Sequence, residues 1–65
     1  MNKFTNRIRE VRIAKHMTLA DLSATVGISV PYLSDIERGN RHGSAGTIQR
    51  IADALGVAAS DLEVA

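Results

Sequence analysis

The stretch from Thr18 to Gly39 constrains the fold of this 65-residue chain more than any other part of the sequence. Thr18 predicts the start of a helix, because a threonine hydroxyl can accept from the free N–H groups of a first turn. Gly27 ends that helix, since glycine adopts a left-handed backbone without steric cost. Ser29 and Gly39 bound a second helix in the same way. Two helices this short are marginal alone, so the rest of the chain must hold them.

Apolar residues at helical spacing predict another helix before this pair. Phe4, Ile8 and Val11 follow an i, i+4, i+7 pattern, which predicts a first helix over residues 3–15. His16 stands where a helix often ends in a left-handed residue, and histidine adopts that backbone more readily than bulky residues do. The first helix is therefore predicted to end at Lys15, with His16 as the left-handed residue that follows it.

Two further helices are predicted after the pair. Ser44 can cap a helix over residues 45–55, and a shorter one follows over residues 59–62. The residues expected to face inward are Ile48, Ile51, Ala52, Leu55 and Leu62. The sequence therefore predicts an all-α fold, a compact bundle of five short helices. It would form a single domain over residues 1–65, with the helix–turn–helix at 18–39.

Composition excludes several classes of protein. The chain has no cysteine and only two histidines, which argues against disulfides and against a structural zinc site. No apolar run approaches the roughly 18 residues of a membrane span, and no signal peptide is visible, so we expect a cytoplasmic protein. Nothing arranges a nucleophile, a base and an orienting group around a pocket. We therefore expect no enzyme activity, no cofactor, no metal and no small-molecule ligand.

The distribution of charge is more informative than the net charge of +1. Residues 1–16 carry five basic side chains and one acidic one, residues 17–37 carry three acidic and no basic ones, and residues 38–50 carry three basic and no acidic ones. Binding to phosphates depends on such local basic clusters rather than on net charge. The alternation predicts a basic rim and an acidic end.

The chain resembles the phage Cro and repressor family, the Xre-like regulators. The resemblance covers residues 4–62 and implies a lambda-repressor-like DNA-binding domain. A lone glycine-turned helix pair would be a weak signal, but here many positions match in register. The matching residues are Leu22, Gly27, Ile28, Tyr32, Leu33, Ser34, Ile36, Glu37, Arg38, Gly39, Asn40, Arg41, Ser44, Ile51, Ala52, Asp53, Ala54, Leu55, Gly56 and Val57.

The resemblance assigns the second helix of the pair to the reading of DNA bases. Leu33 and Ile36 point inward, so the opposite face is exposed and suits the major groove of B-DNA. The residues implied to face the bases are Val30, Pro31, Tyr32, Ser34 and Asp35. Two interpretations of Asp35 stay open: it accepts a hydrogen bond from cytosine, or it forms a salt bridge with Arg38 on a solvated face.

Phosphate contacts are expected from the helix starts and from the loop after the recognition helix. The candidates are Thr18, Leu19, Ser29, Arg38, Asn40, Arg41, His42 and Ser44. Leu19 stands where the family usually has a phosphate-binding glutamine, so this contact is weakened. Gly43 replaces a common proline, which predicts a looser loop.

The resemblance also implies two structural features. Arg12 and Glu37 would form a buried ion pair that joins the first and third helices. The dimer contact would lie near the last two helices, where the candidate residues are Val57, Ala58, Leu62 and Val64.

The sequence thus predicts a sequence-specific double-stranded DNA-binding transcriptional regulator. It would bind a palindromic operator as a homodimer through the helix over residues 30–38. The alternative is a protein-interaction module, antitoxin-like or adaptor, which the apolar Leu19, Val30 and Pro31 and the acidic Asp35 would suit. A steep loss of DNA affinity with rising salt separates the first class from the second.

Overall fold

The computed structural model describes residues 4–63, which form four α-helices and one short 3-10 helix. The prediction of an all-α bundle is confirmed, but the fifth element is a single 3-10 turn rather than an α-helix. The elements are α1 (Ile8–Ala14), α2 (Leu19–Val26), α3 (Val30–Glu37), α4 (Ala45–Leu55) and the 3-10 helix (Ala59–Leu62).

The first helix starts later than its apolar pattern predicts, at Ile8 rather than at residue 3. The Asn6 side chain explains the difference: its Oδ1 accepts from the Ile8 N–H at 3.0 Å, and its Nδ2 donates to the Ile36 carbonyl at 2.8 Å. Asn6 also forms an antiparallel bridge with Glu63. The segment before α1 therefore contacts the end of α3 and Glu63 instead of continuing the helix toward the N-terminus.

The predicted starts of α2 and α3 and the end of α2 at Gly27 agree with the structure, whereas α3 ends at Glu37, one residue before the predicted end. Thr18 Oγ1 accepts from the Asp21 N–H at 3.0 Å, and Asp21 Oδ2 accepts from the Thr18 N–H at 3.1 Å, which completes a capping box at the start of α2. The hydrogen bond from the Thr18 backbone lowers the pKa of the Asp21 carboxyl. Gly27 ends α2 with a φ of +83°. His16 adopts the left-handed backbone expected after α1, with a φ of +59°.

The helices enclose one apolar core. Its members are no more than 5% exposed: Ile8, Leu22, Val26, Leu33, Ile36, Ile51, Ala52, Leu55 and Leu62. Phe4, Val11 and Ile48, also expected inward, are half-buried. Val11 and Ile48 pack against the edge of the core. The core therefore draws on every helix, with α2, α3 and α4 each supplying at least two members.

A buried ion pair joins α1 to α3. Arg12 Nε donates to Glu37 Oε2 at 2.7 Å and Arg12 Nη2 donates to Oε1 at 3.1 Å, while the third donor, Nη1, reaches the Met17 carbonyl at 2.9 Å. The two side chains are 10% and 4% exposed. The hydrogen bond to Glu37 raises the pKa of Arg12. This bidentate geometry fixes the rotation of α3 about its axis. Both charged groups are shielded from water, so any rotation that separated them would leave two buried charges unpaired.

We expect Arg12→Ala to destabilise the domain by about 3–5 kcal/mol, because it leaves the Glu37 carboxylate buried without a partner. Arg9→Ala is the matched control: this arginine lies on the same helix but is exposed, so its loss should change the unfolding free energy by less than about 0.5 kcal/mol. Urea unfolding followed by circular dichroism measures both. The double variant Arg12→Met/Glu37→Met should be more stable than Arg12→Ala. Equal unfolding free energies for Arg12→Ala and Arg9→Ala would contradict this.

Gly43 does not loosen its loop as the sequence suggested. Its φ is +76°, and a Cβ built on it would lie 3.2 Å from Ile36 Cδ1 and 3.3 Å from Ile48 Cδ1. The residue therefore needs both the left-handed backbone and the missing side chain. It packs the loop after α3 closely onto the core.

The two glycines on either side of the α4 start should respond oppositely to alanine. Gly43→Ala should lower the unfolding free energy by about 1–3 kcal/mol, because it combines an unfavourable φ with close contacts. Gly46→Ala should raise it by about 0.5–1 kcal/mol, because Gly46 lies inside α4 and a Cβ there meets only Ser44 Oγ, at 4.0 Å. Thermal or urea unfolding of both variants measures the difference. A Gly43→Ala variant as stable as the parent would refute the packing argument.

Candidate nucleic-acid interface

The third helix presents one face to the core and the other to solvent. Leu33 and Ile36 are fully buried, whereas Val30 is 40% exposed and Pro31 is exposed beside it. The remaining residues predicted to face the bases are half-buried at the margins of this outer face: Tyr32, Ser34 and Asp35. The structure therefore exposes Val30 and Pro31 at the start of α3 and leaves Ser34 and Asp35 partly accessible, whereas Tyr32 packs partly against the core.

The starts of α2 and α3 differ as places for a phosphate. Ser29 Oγ accepts from the Tyr32 N–H at 3.2 Å, and no acidic residue lies in the first turn of α3. At the start of α2 the Asp21 carboxylate occupies the Thr18 cap, and Leu19 is half-buried against the core. A negative charge at a helix N-terminus already satisfies the positive end of the dipole. The α3 start is therefore the better anion site of the two.

The chain reverses direction directly after α3. The Asn40 N–H donates to the Asp35 carbonyl at 2.9 Å, and the Gly39 N–H donates to the Ile36 carbonyl at 3.0 Å, with Gly39 at a φ of +78°. These two bonds form a Schellman motif. Arg41 continues the reversal, since its N–H also reaches the Asp35 carbonyl, at 3.3 Å. The loop therefore returns alongside the helix that it follows.

This reversal assembles four side chains, which we call the Asp35 cluster: Tyr32, Asp35, Arg38 and Arg41. Arg38 Nη2 lies 3.0 Å from Asp35 Oδ1, and Arg41 Nε lies 3.5 Å from Oδ2. The Arg41 guanidinium carbon also lies 5.8 Å from the centre of the Tyr32 ring, within range of a cation–π interaction. Of the two interpretations of Asp35, the structure shows the salt bridge with Arg38 and adds a second arginine.

The sequence did not predict the ion pair between Arg41 and Asp35. Arg41 lies six residues after Asp35, which is not a neighbouring position on a continuous helix. A signal was present in Gly39: a helix that ends in a left-handed glycine reverses the chain and returns the next residues toward the last turn. Both arginine side chains are 63% exposed, so their ion pairs with Asp35 are weak and exchangeable.

The remaining predicted phosphate contacts lie in the loop before α4. Asn40 and His42 are exposed, and the His42 ring packs edge-on against Phe4 with 5.1 Å between the ring centres. Ser44 is exposed but occupied: its hydroxyl donates to Thr47 Oγ1 at 2.9 Å and accepts from the Thr47 N–H at 3.1 Å. Ser44 thus serves as the cap of α4 and would have to break that bond to donate to a phosphate.

The residues predicted to form the dimer contact are not one continuous surface. Ala58 is exposed and Val57 is half-buried, but Leu62 is 1% exposed and belongs to the core. The inclusion of Leu62 in that surface is therefore wrong, because its side chain is already covered by its own domain. Val64 lies outside the described residues.

Within residues 4–63, no group of three or more potential ligands is placed to hold a metal ion. Across the same part of the chain, every helix is too short or too polar to cross a membrane.

Comparison with known proteins identifies the family. The profile of the helix-turn-helix family HTH_3 matches residues 8–62. This chain belongs to that Xre-type family of transcriptional regulators. The family is one of regulators rather than enzymes, as the sequence predicted. The chain is also 42% identical over 60 residues to the HTH-type transcriptional regulator DdrOP3 of Deinococcus deserti; the match covers 92% of this chain but only 46% of DdrOP3.

Solved structures of other helix-turn-helix regulators have the same fold. The restriction-modification controller protein C.AhdI from Aeromonas hydrophila superposes with a TM-score of 0.81 and 33% identity, over 85% of this chain and 83% of that one. SinR of Bacillus subtilis, solved in complex with DNA, superposes with a TM-score of 0.76 and 29% identity, over 83% and 87% of the two chains. The lambda-repressor-like fold is thereby confirmed.

Proposed function

We propose that this domain is a sequence-specific regulator that inserts the N-terminal half of α3 into the major groove of double-stranded DNA. The observation that carries the proposal is the division of α3 into a fully buried face and an exposed one that starts at Val30. A helix fits the major groove, and the residues of its first turns reach the base edges. The likeness to SinR, which was solved in complex with DNA, supports DNA as the partner.

The proposed base contacts are mainly apolar. Val30 and Pro31 have no side-chain donor or acceptor, so they can recognise a thymine methyl group but no base through hydrogen bonds. Ser34 adds a hydroxyl that can donate or accept, and Tyr32 adds an aromatic ring at the edge. Each such contact contributes less discrimination than the about 1–3 kcal/mol of a bidentate side chain.

The proposed phosphate contacts surround this face. Arg38, Asn40, Arg41 and His42 are all exposed on the loop after α3. The free N–H groups at the start of α3, next to the Ser29 cap, add an anion site without a competing carboxylate. Thr18 and Leu19 contribute less, because the Asp21 carboxylate already accepts from the Thr18 N–H at the start of α2. Ser44 contributes less, because its hydroxyl already donates to Thr47 Oγ1.

We further propose that two copies bind a palindromic operator. Recognition helices of such dimers lie about 34 Å apart, one turn of B-DNA. The domain measures 26 × 23 × 21 Å, so two copies fit side by side at that spacing. Val57 and Ala58 are the accessible candidates for the contact between them. The contact would be small, so DNA would assist pairing.

The alternative proposal, a module that binds a partner protein, is favoured by the exposed apolar side chain of Val30 next to Pro31. DNA binding that falls steeply with salt would argue against it, because counterion release makes phosphate contacts salt-dependent. Selection of binding sites from random duplexes tests the leading proposal. We expect a palindrome with half-sites about 10–10.5 base pairs apart between centres.

Val30→Glu provides a sharper test of the surface. We expect about tenfold or greater loss of affinity for the selected duplex, because a carboxylate would enter the groove beside the phosphates. Ile13→Glu is the matched control, since Ile13 is 48% exposed on α1 and receives the same change of charge from a β-branched apolar side chain. Fluorescence anisotropy with a labelled duplex measures both. Equal losses for the two variants would place the DNA surface elsewhere or show a general charge effect.

A further inference from the structure

The Asp35 cluster places an acidic side chain between two of the proposed phosphate contacts. Asp35 Oδ1 accepts a hydrogen bond from Arg38 Nη2 at 3.0 Å, and Oδ2 forms an ion pair with Arg41, 3.5 Å from Nε. A phosphate oxygen would use the same guanidinium donors in the same way. On this surface Asp35 therefore competes with DNA phosphate for both arginines.

We propose that Asp35 is a positioning residue that sets how strongly the domain discriminates its operator from other DNA. The inference rests on the proposed function and deepens it. It reassigns Asp35, which the resemblance placed among the base contacts. Each carboxylate oxygen already lies within ion-pair distance of an arginine, so a cytosine amino group would have to compete with two positive charges.

The competition weakens binding to DNA of any sequence. Non-specific binding consists almost entirely of phosphate contacts, so a carboxylate among the contacting arginines reduces it directly. Removal of one such charge is equivalent to about one additional phosphate contact. The logarithm of the binding constant falls with the logarithm of the salt concentration, with a slope of about −0.9 per phosphate contact. One contact therefore raises the affinity at about 0.15 M salt roughly fivefold above its value at about 1 M salt.

On the operator the same carboxylate has a compensating effect. Its ion pair with Arg41 Nε and the Tyr32 ring, 5.8 Å from the guanidinium carbon, favour one position of Arg41 among those open to it, and a guanidinium has further N–H donors on its terminal nitrogens. An arginine held in one place loses less side-chain entropy when it makes a defined contact. Asp35 therefore costs affinity on every duplex but returns part of it only where α3 is fully docked. The ratio of operator to non-specific affinity rises as a result.

The test compares Asp35→Asn with the parent protein on two duplexes: one recovered by selection with the parent, and a scrambled duplex of equal length and composition. We expect Asp35→Asn to bind the scrambled duplex roughly fivefold more tightly and with a steeper salt dependence, and to gain clearly less affinity than that for the selected duplex. Asp53→Asn is the matched control. It removes the same charge from α4, where the Asp53 carboxylate accepts from Gln49 Nε2 at 2.9 Å, and it should change the affinities for both duplexes by the same factor, smaller than roughly fivefold.

A second variant separates positioning from charge. Arg41→Lys keeps the charge but loses the planar fork, so it should lower the discrimination ratio without changing the salt slope. In an Arg38→Gln/Arg41→Gln background, by contrast, Asp35→Asn should leave the ratio of operator to non-specific affinity unchanged, because no arginine remains to pair with residue 35. Circular dichroism checks that each variant is folded.

Three outcomes would overturn the inference. The first is an unchanged ratio in Asp35→Asn. The second is a repeat selection with Asp35→Asn that changes the preferred base at one position, which is the signature of a direct base contact. The third is a parent protein that binds both duplexes equally, and only this outcome overturns the proposed function as well.

Discussion

The anchoring of the inner face of α3 determines everything proposed for this domain. Leu33 and Ile36 are fully buried, and Glu37 is held by the Arg12 fork. A helix displaced by one residue would rotate by about 100°, which would move the outer residues into the core. The apolar contacts alone allow some rotation, but a paired and buried carboxylate does not. The ion pair therefore contributes orientation, whatever its net contribution to stability.

The surface that results is not simply basic. Its apolar tip at Val30 and Pro31 lies at the start of α3, and its charges lie at the other end, where Asp35 is placed between two arginines. The net charge of +1 thus hides a local arrangement in which attraction to phosphate is partly neutralised within the protein. Such an arrangement makes shape and apolar contacts in the groove more important to specificity than total charge does.

The sequence predicted the features that depend on neighbouring residues. The caps at Thr18, Ser29 and Ser44 act over three residues, so the starts of α2, α3 and α4 agree with the structure. Its errors concern partners that are distant in the chain. The late start of α1 depends on Asn6, which donates a hydrogen bond to the Ile36 carbonyl, thirty positions away. Likewise, the packing of Gly43 between two isoleucine side chains follows from the tertiary fold and from no local pattern.

The orientation of α3 toward DNA can be measured directly by following backbone amide signals in NMR spectra while the selected duplex is added. The account predicts that the largest shifts fall in α3 and in the loop from Arg38 to His42, with α1 and the C-terminal half of α4 little affected. Shifts centred on α1 or on the 3-10 helix, with α3 unchanged, would contradict it.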